Sequence, residues 1–133
     1  MATVLADLEV VHGVRDGITI GDRRPVWEQR FETHGRERTG KAVLVFMVRG
    51  LTGSNGAEVR LNNKVVGMID PYPGADSRHW FMQMINITAL PEILFDGDNE
   101  LQVNAAPHTN PSSGDIYEDF TLKNVICIFQ QST

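Results

Sequence analysis

The chain has 133 residues, 41% hydrophobic and 22% charged, with a formal charge of −5 at pH 7 and a single cysteine. That length suits one domain spanning residues 1–133 with a two-layer core, and the balance of apolar and charged residues excludes wholesale disorder. The acidic charge excludes nucleic acid as a partner, since phosphate binding needs clustered Lys and Arg, and a lone thiol excludes an intramolecular disulfide.

The N-terminus, MATVLADLEV, carries Asp7 and Glu9 but no basic region and no long apolar run. Neither a secretory signal nor a membrane span is expected, so the chain is expected to be cytoplasmic as synthesised, with export inside a larger particle left open. Strand candidates then follow near residues 3–11, 17–20, 25–32, 42–49, 57–62, 64–69, 79–87, 100–105 and 119–129, with turn residues between them. This pattern predicts an all-β antiparallel sandwich of about eight or nine strands rather than an α/β fold.

Several segments carry more detail. Arg23-Arg24, Arg36 and Arg38 are interleaved with Asp22, Glu32 and Glu37, a pattern that reads as solvated loop charge. Trp27 and Phe31 lie four apart in PVWEQRFETH, and the preceding Pro25 and Val26 favour a strand that covers the core. The alternative role for this segment is an extension that docks on a neighbour. The run from Ala42 to Val48 is apolar at every position, and Val125 to Phe129 is nearly so, with Cys127 inside it as an inert core thiol. Strands apolar on both sides are covered on both sides. Two covers present themselves: residues 1–35 folded across the outer face, which is the favoured reading, or another subunit.

From Ala57 to Ile69 the chain reads AEVRLNNKVVGMI, two strands joined at Asn62-Asn63. Asn tolerates the positive φ of a type I′ hairpin turn. Further on, Leu90, Ile93 and Leu94 recur at helical spacing behind the cap candidate Thr88, predicting one short helical turn before Gly97-Asp98-Asn99 breaks the chain. Asn86-Ile87-Thr88 also matches the glycosylation sequon, but reads more simply as a strand end and cap.

The V-x-L-N-x-K-x-V-G run from Val59 to Gly67, followed by N-I-T-x-L and D-G-D-N-E-L-x-V from Asn86 to Val103, resembles the galactose-binding-domain-like jelly roll. The same scaffold occurs in the non-catalytic sugar-binding domain of glycoside hydrolase family 2 and in carbohydrate-binding modules. The likeness covers roughly residues 40 to 129 and leaves residues 1–35 as an N-terminal extension to the sandwich. It implies ligand binding by loops at one end of the sandwich, and here the irregular segments are Asp70 to Arg78 and Ala106 to Glu118. It also implies a non-enzyme, because in family 2 catalysis belongs to a separate barrel. The Gly-Gly-Tyr and Pro-Phe elements of the family appear here only as Pro71-Tyr72-Pro73-Gly74.

Sugar recognition needs aromatic faces for the apolar side of a pyranose and polar groups for its hydroxyls. Tyr72, Asp76, Arg78, His79 and Trp80 in the first loop and His108, Asn110 and Tyr117 in the second supply both, and the same residues suit a protein interface. Trp80 opens an apolar strand, which favours a core position over a platform. The four histidines have no zinc spacing. No cofactor is expected beyond a structural calcium, for which Asp96 and Asp98 are the candidates and Asp115, Glu118 and Asp119 a second group, with an Asp/Gly/Asn turn as the simpler reading of the first. A glycosidase would need two facing carboxylates, which loop acids alone do not establish. The expected function is therefore a non-catalytic binding module for a carbohydrate or other polar ligand, and the alternative is a structural subunit of a homo-oligomer or of a phage-like or capsid-like particle.

Overall fold

A computed structural model describes residues 4–12, 16–37, 40–52, 55–72, 79–87, 93–107 and 116–132. The strands are β1 (Val4–His12), β2 (Ile18–Ile20), β3 (Val26–Thr33), β4 (Ala42–Arg49), β5 (Ala57–Leu61), β6 (Lys64–Ile69), β7 (Phe81–Asn86), β8 (Gly97–Asn104), β9 (Ala106–Pro107), β10 (Tyr117–Glu118) and β11 (Phe120–Ser132). Eleven strands among the described residues thus replace the expected eight or nine, because the two-residue β9 and β10 pair with each other in a segment read as loop. There is no helix among the described residues, and the helical turn expected behind Thr88 falls on residues 88–92, outside them; Ile93 and Leu94 form a turn and bend.

All the described pairings are antiparallel. One sheet runs β1-β11-β4-β7, with β2 continuing the β1 edge of β11, and the other runs β3-β8-β5-β6. This is a jelly-roll sandwich. The strands described within residues 1–35 do not lie across the outer face of β4, as expected for a cover; β1 and β2 join the first sheet edge-on and β3 joins the second. The reason is visible in β3, where Trp27 and Phe31 alternate with exposed Glu28, Arg30 and Glu32, so the strand has one face to bury and one to wet.

The core lies between the sheets. Leu44, Phe46 and Val48 of β4, Leu122, Val125, Cys127 and Phe129 of β11, and Ile85 of β7 meet Val59 and Leu61 of β5, Leu101 and Val103 of β8, and Ile69 of β6. Each such side chain removed from water contributes about 1.5–3 kcal/mol, enough to set strand register through the inward positions. The Asn62-Asn63 hairpin forms as the sequence implies, with φ of 50° and 67°, the left-handed pair that a I′ turn needs. Cys127 is fully buried.

The Asp96 to Asn99 turn is organised around buried Asn99. Its Oδ1 accepts from Phe95 N–H and Asn62 Nδ2, both at 2.8 Å, and its Nδ2 donates to the carbonyls of Phe95 at 2.9 Å and Gly97 at 3.0 Å. Arg36 corrects the reading of solvated charge. It is only 5% exposed, its Nη1 donates to the carbonyls of Glu37 and Gly40, and its Nε and Nη2 have no hydrogen-bond partner among the described residues.

Candidate functional site

The topology sends the β4–β5, β6–β7 and β8–β11 connections to one end of the sandwich, because β4, β6 and β8 finish where β5, β7 and β11 begin. Tyr72 N–H donates to the Leu51 carbonyl at 2.8 Å, and Asn55 Nδ2 donates to the Pro107 carbonyl at 3.0 Å. The two irregular segments singled out in the sequence therefore share an end.

A groove of about 630 Å³ opens there between β3, β5, β6 and β8. Strand register brings Val26, Asn104 and Glu58 into one outward-facing row, and Met68 stands opposite Glu58 on β6. Tyr117 of β10 and Asn55 of the β4–β5 connection close the groove. The lining thus pairs a carboxylate and two amides with the apolar surfaces of Tyr117, Met68 and Val26. Glu58 Oε1 accepts from Arg60 Nε at 2.5 Å and from Asn104 Nδ2 at 3.1 Å, and Gln102 Nε2 donates to Asn104 Oδ1 at 2.8 Å. The Arg60 hydrogen bond holds the Glu58 carboxyl below the usual glutamate range, with the Arg60 charge and Asn104 acting in the same sense against partial desolvation. Glu58 is therefore an ionised acceptor at neutral pH.

The Tyr117 wall is positioned by acids as well as by the β9–β10 pairing. Asp22 Oδ1 accepts from the N–H groups of Ile116 at 3.0 Å and Tyr117 at 2.9 Å, and Asp119 Oδ1 accepts from Asp22 N–H at 3.0 Å. Asp119 reaches that position only because residue 21 is glycine: a Cβ there would lie 1.7 Å from Asp119 Oδ1.

Of the residues named from the sequence, Tyr117 lines this groove, whereas Asp76, Arg78, His108 and Asn110 lie outside the described residues. Tyr72 packs edge-on against Phe81, with ring centroids 5.2 Å apart. His79 is exposed. Trp80 is half-buried, neither a core residue nor a bare platform: Arg49 Cζ lies 4.5 Å and Lys123 Nζ 4.1 Å from its ring centre. Sequence reasoning missed Glu58 and Asn104, which lie 46 residues apart and meet only through the β5–β8 pairing. The signal available was their place as polar outward residues beside apolar inward ones.

Asp96 Oδ1 accepts from the N–H groups of Gly35 at 2.9 Å and Arg36 at 3.2 Å, while Asp98 stands on the exposed side of β8 opposite Glu32. In the second group of calcium candidates, Asp115 lies outside the described residues and Asp119 Oδ1 accepts from Asp22 N–H. Among the described residues no group of three or more His, Cys, Asp or Glu side chains could hold a metal ion, and no helix is long and apolar enough to cross a membrane.

No protein-family model matches the chain, and no curated protein matches it in sequence. Solved structures do match in fold. A family 35 carbohydrate binding module from an environmental isolate aligns over 98% of this chain and 97% of its own length, with a TM-score of 0.52 and 11% identity. The CBM35 from Cellvibrio japonicus Abf62 aligns over 99% and 97%, with a TM-score of 0.51 and 9% identity. The fold is the galactose-binding-like jelly roll. A domain of the beta-porphyranase BpGH86A from Bacteroides plebeius aligns over 99% of this chain at 16% identity and a TM-score of 0.51, but this chain spans only 21% of that enzyme. At these identities the likeness establishes architecture.

Proposed function

We propose that this chain is a non-catalytic carbohydrate-binding module that holds a sugar in the groove between Glu58, Asn104 and Tyr117. The observation that carries the reading is the lining itself, an ionised carboxylate and two amides facing an aromatic ring across about 630 Å³ at the loop end of the sandwich. Sugar hydroxyls donate to Glu58 and exchange hydrogen bonds with the amides of Asn55 and Asn104, while the C–H face of the ring rests on Tyr117 and Met68. Support also comes from two solved structures described as carbohydrate-binding modules, which share the fold along nearly their whole length.

The test is retention of the purified chain in gels containing galactan, xylan, mannan or pectin, followed by calorimetry on whichever polymer retards it. Glu58→Gln and Asn104→Ala should each weaken binding at least tenfold without moving the melting temperature by more than a few degrees. Retention by a glycan that neither variant affects would remove the groove from the proposal. Blank gels across the panel would remove carbohydrate binding, and turnover of a chromogenic glycoside would overturn the non-catalytic reading.

A further inference from the structure

The outer faces of the two sheets differ in charge. On the β3-β8-β5-β6 sheet the outward rows mix Glu28, Arg30, Glu100, Gln102 and Arg60 with the exposed apolar side chains of Val26, Val65 and Met68. On the other sheet, register places Val10, Ile126, Val45 and Met84 in one outward row across β1, β11, β4 and β7. Ile128 and Val43 stand in the row on one side of it, and Met47 and Met82 in the row on the other. Val10, Met82, Met84 and Ile128 are 55%, 66%, 63% and 37% exposed. With the half-covered members they form roughly 500 Å² of contiguous apolar surface, at the upper end of what a monomer exposes without a use for it.

We infer that a second copy of this chain covers this face, with the two β4 strands stacked antiparallel about a two-fold axis near Val45. Area supports that occupant. Two such fields and their rims would bury on the order of 1,200 Å² in total, which reaches the range of specific interfaces. Self-complementarity supports it further. Val43 and Ile128 line a shallow apolar groove of about 200 Å³ near one end of β4, and Met47 lies as far from Val45 on the other side. A two-fold axis through Val45 sets the Met47 of each copy over the Val43 groove of its mate, and methionine is the side chain that adapts to such a gap.

Charge weighs against the parallel stacking. Arg49 and Lys123, held together over Trp80, are paired cations at one end of this face, and neither has a carboxylate partner among the described residues. A parallel stack would bring the cation pairs of the two copies together. The antiparallel stack sends each pair to the Asn86 and Gln130 end of its mate, where Lys41 stands in place of two cations. Sheets stacked face to face in this way lie about 10 Å apart, as the two layers within one copy do.

The inference does not depend on carbohydrate binding and is tested without a glycan. Light scattering over a concentration series should show the mass rising from 14.8 kDa toward twice that value. Val45→Glu and Met84→Glu, both on outward positions that leave the core intact, should raise the dissociation constant at least tenfold, and Arg30→Glu on the opposite sheet should leave it unchanged. Circular dichroism melts confirm that each variant folds. A mass of 14.8 kDa at every concentration up to about 1 mM would overturn the inference, because affinity weaker than millimolar is no specific interface. A dimer untouched by Val45→Glu and Met84→Glu would overturn it equally.

Discussion

The side-chain amide of Gln83 and the backbone of Asp70 exchange two hydrogen bonds: Gln83 Oε1 accepts from Asp70 N–H and Gln83 Nε2 donates to the Asp70 carbonyl, both at 2.9 Å. The amide imitates a strand pair. It joins β6, the edge of one sheet, to β7, the edge of the other, at the point where the chain leaves for the irregular 70–80 segment. Because the two bonds replace a missing ladder, Gln83→Ala should lower stability by about 1–2 kcal/mol and speed amide exchange at Asp70 before it affects β4. Hydrogen exchange followed residue by residue checks the order.

Glu58 supplies a pH prediction. Its folded-state pKa is depressed by the Arg60 hydrogen bond, so its contribution to stability is fully present above the ordinary glutamate value and is lost as pH falls through the lower folded-state value. Arg60→Ala should move the Glu58 titration upward, toward the ordinary glutamate value, and make that acid-side loss of stability smaller. Carboxyl-carbon NMR of Glu58 in the two proteins measures it directly. Unchanged titration on losing Arg60 would contradict the assignment.

Asn99 is 3% exposed and fills both its acceptor and its donor capacity, within its own turn and from Asn62 of the β5–β6 hairpin. Asn99→Leu leaves Phe95 N–H without its acceptor and removes the bonds to the Phe95 and Gly97 carbonyls, of which the first keeps Thr33 Oγ1 as a donor, and should cost on the order of 2–4 kcal/mol. Asn99→Asp keeps the acceptor and loses the donors, so it should fall between the two proteins in urea titration. The same urea titration of Asn62→Gly should show a smaller loss, since glycine retains the turn conformation but not the bonds to Asn99 and to Glu100 N–H.

Arg36 behaves in the opposite way. Burial pushes its pKa down, with Cys127 and Glu37 favouring the charged form, and two of its guanidinium nitrogens lack partners among the described residues. Replacing a buried charge with an apolar chain of similar length is often neutral or stabilising. Arg36→Met should match or exceed the parent melting temperature, while Arg36→Ala, which also empties the space under the stem, should lower it. A drop of several degrees in the methionine variant would show that the charge itself is needed.

Around Trp80 the two cations should shield the indole. Lys123→Ala and Arg49→Ala should each raise quenching of the Trp80 emission by neutral acrylamide and cost about 0.5–1 kcal/mol, since each cation over a partly exposed ring contributes roughly that much. Trp27, 5% exposed, is the internal standard whose emission should not change.

The strands, the Asn62-Asn63 turn and the burial of Cys127 were legible in the sequence because each depends on neighbours in the chain: a period of two, a residue pair that accepts positive φ, an apolar flank. The likeness to a galactose-binding jelly roll followed from the same local runs. The loop end was legible as well, since proline, glycine and serine mark where ladders stop. What only the tertiary structure decided is which residues meet there. Glu58 faces Asn104 because β8 lies between β3 and β5, Trp80 meets Arg49 and Lys123 because β11 and β7 flank β4, and Arg36 turns inward beside the end of β11. Strand alternation is a local steric property, whereas the choice of partner strand is set by how the whole apolar surface is buried at once, and a single chain of letters does not order its strands in space.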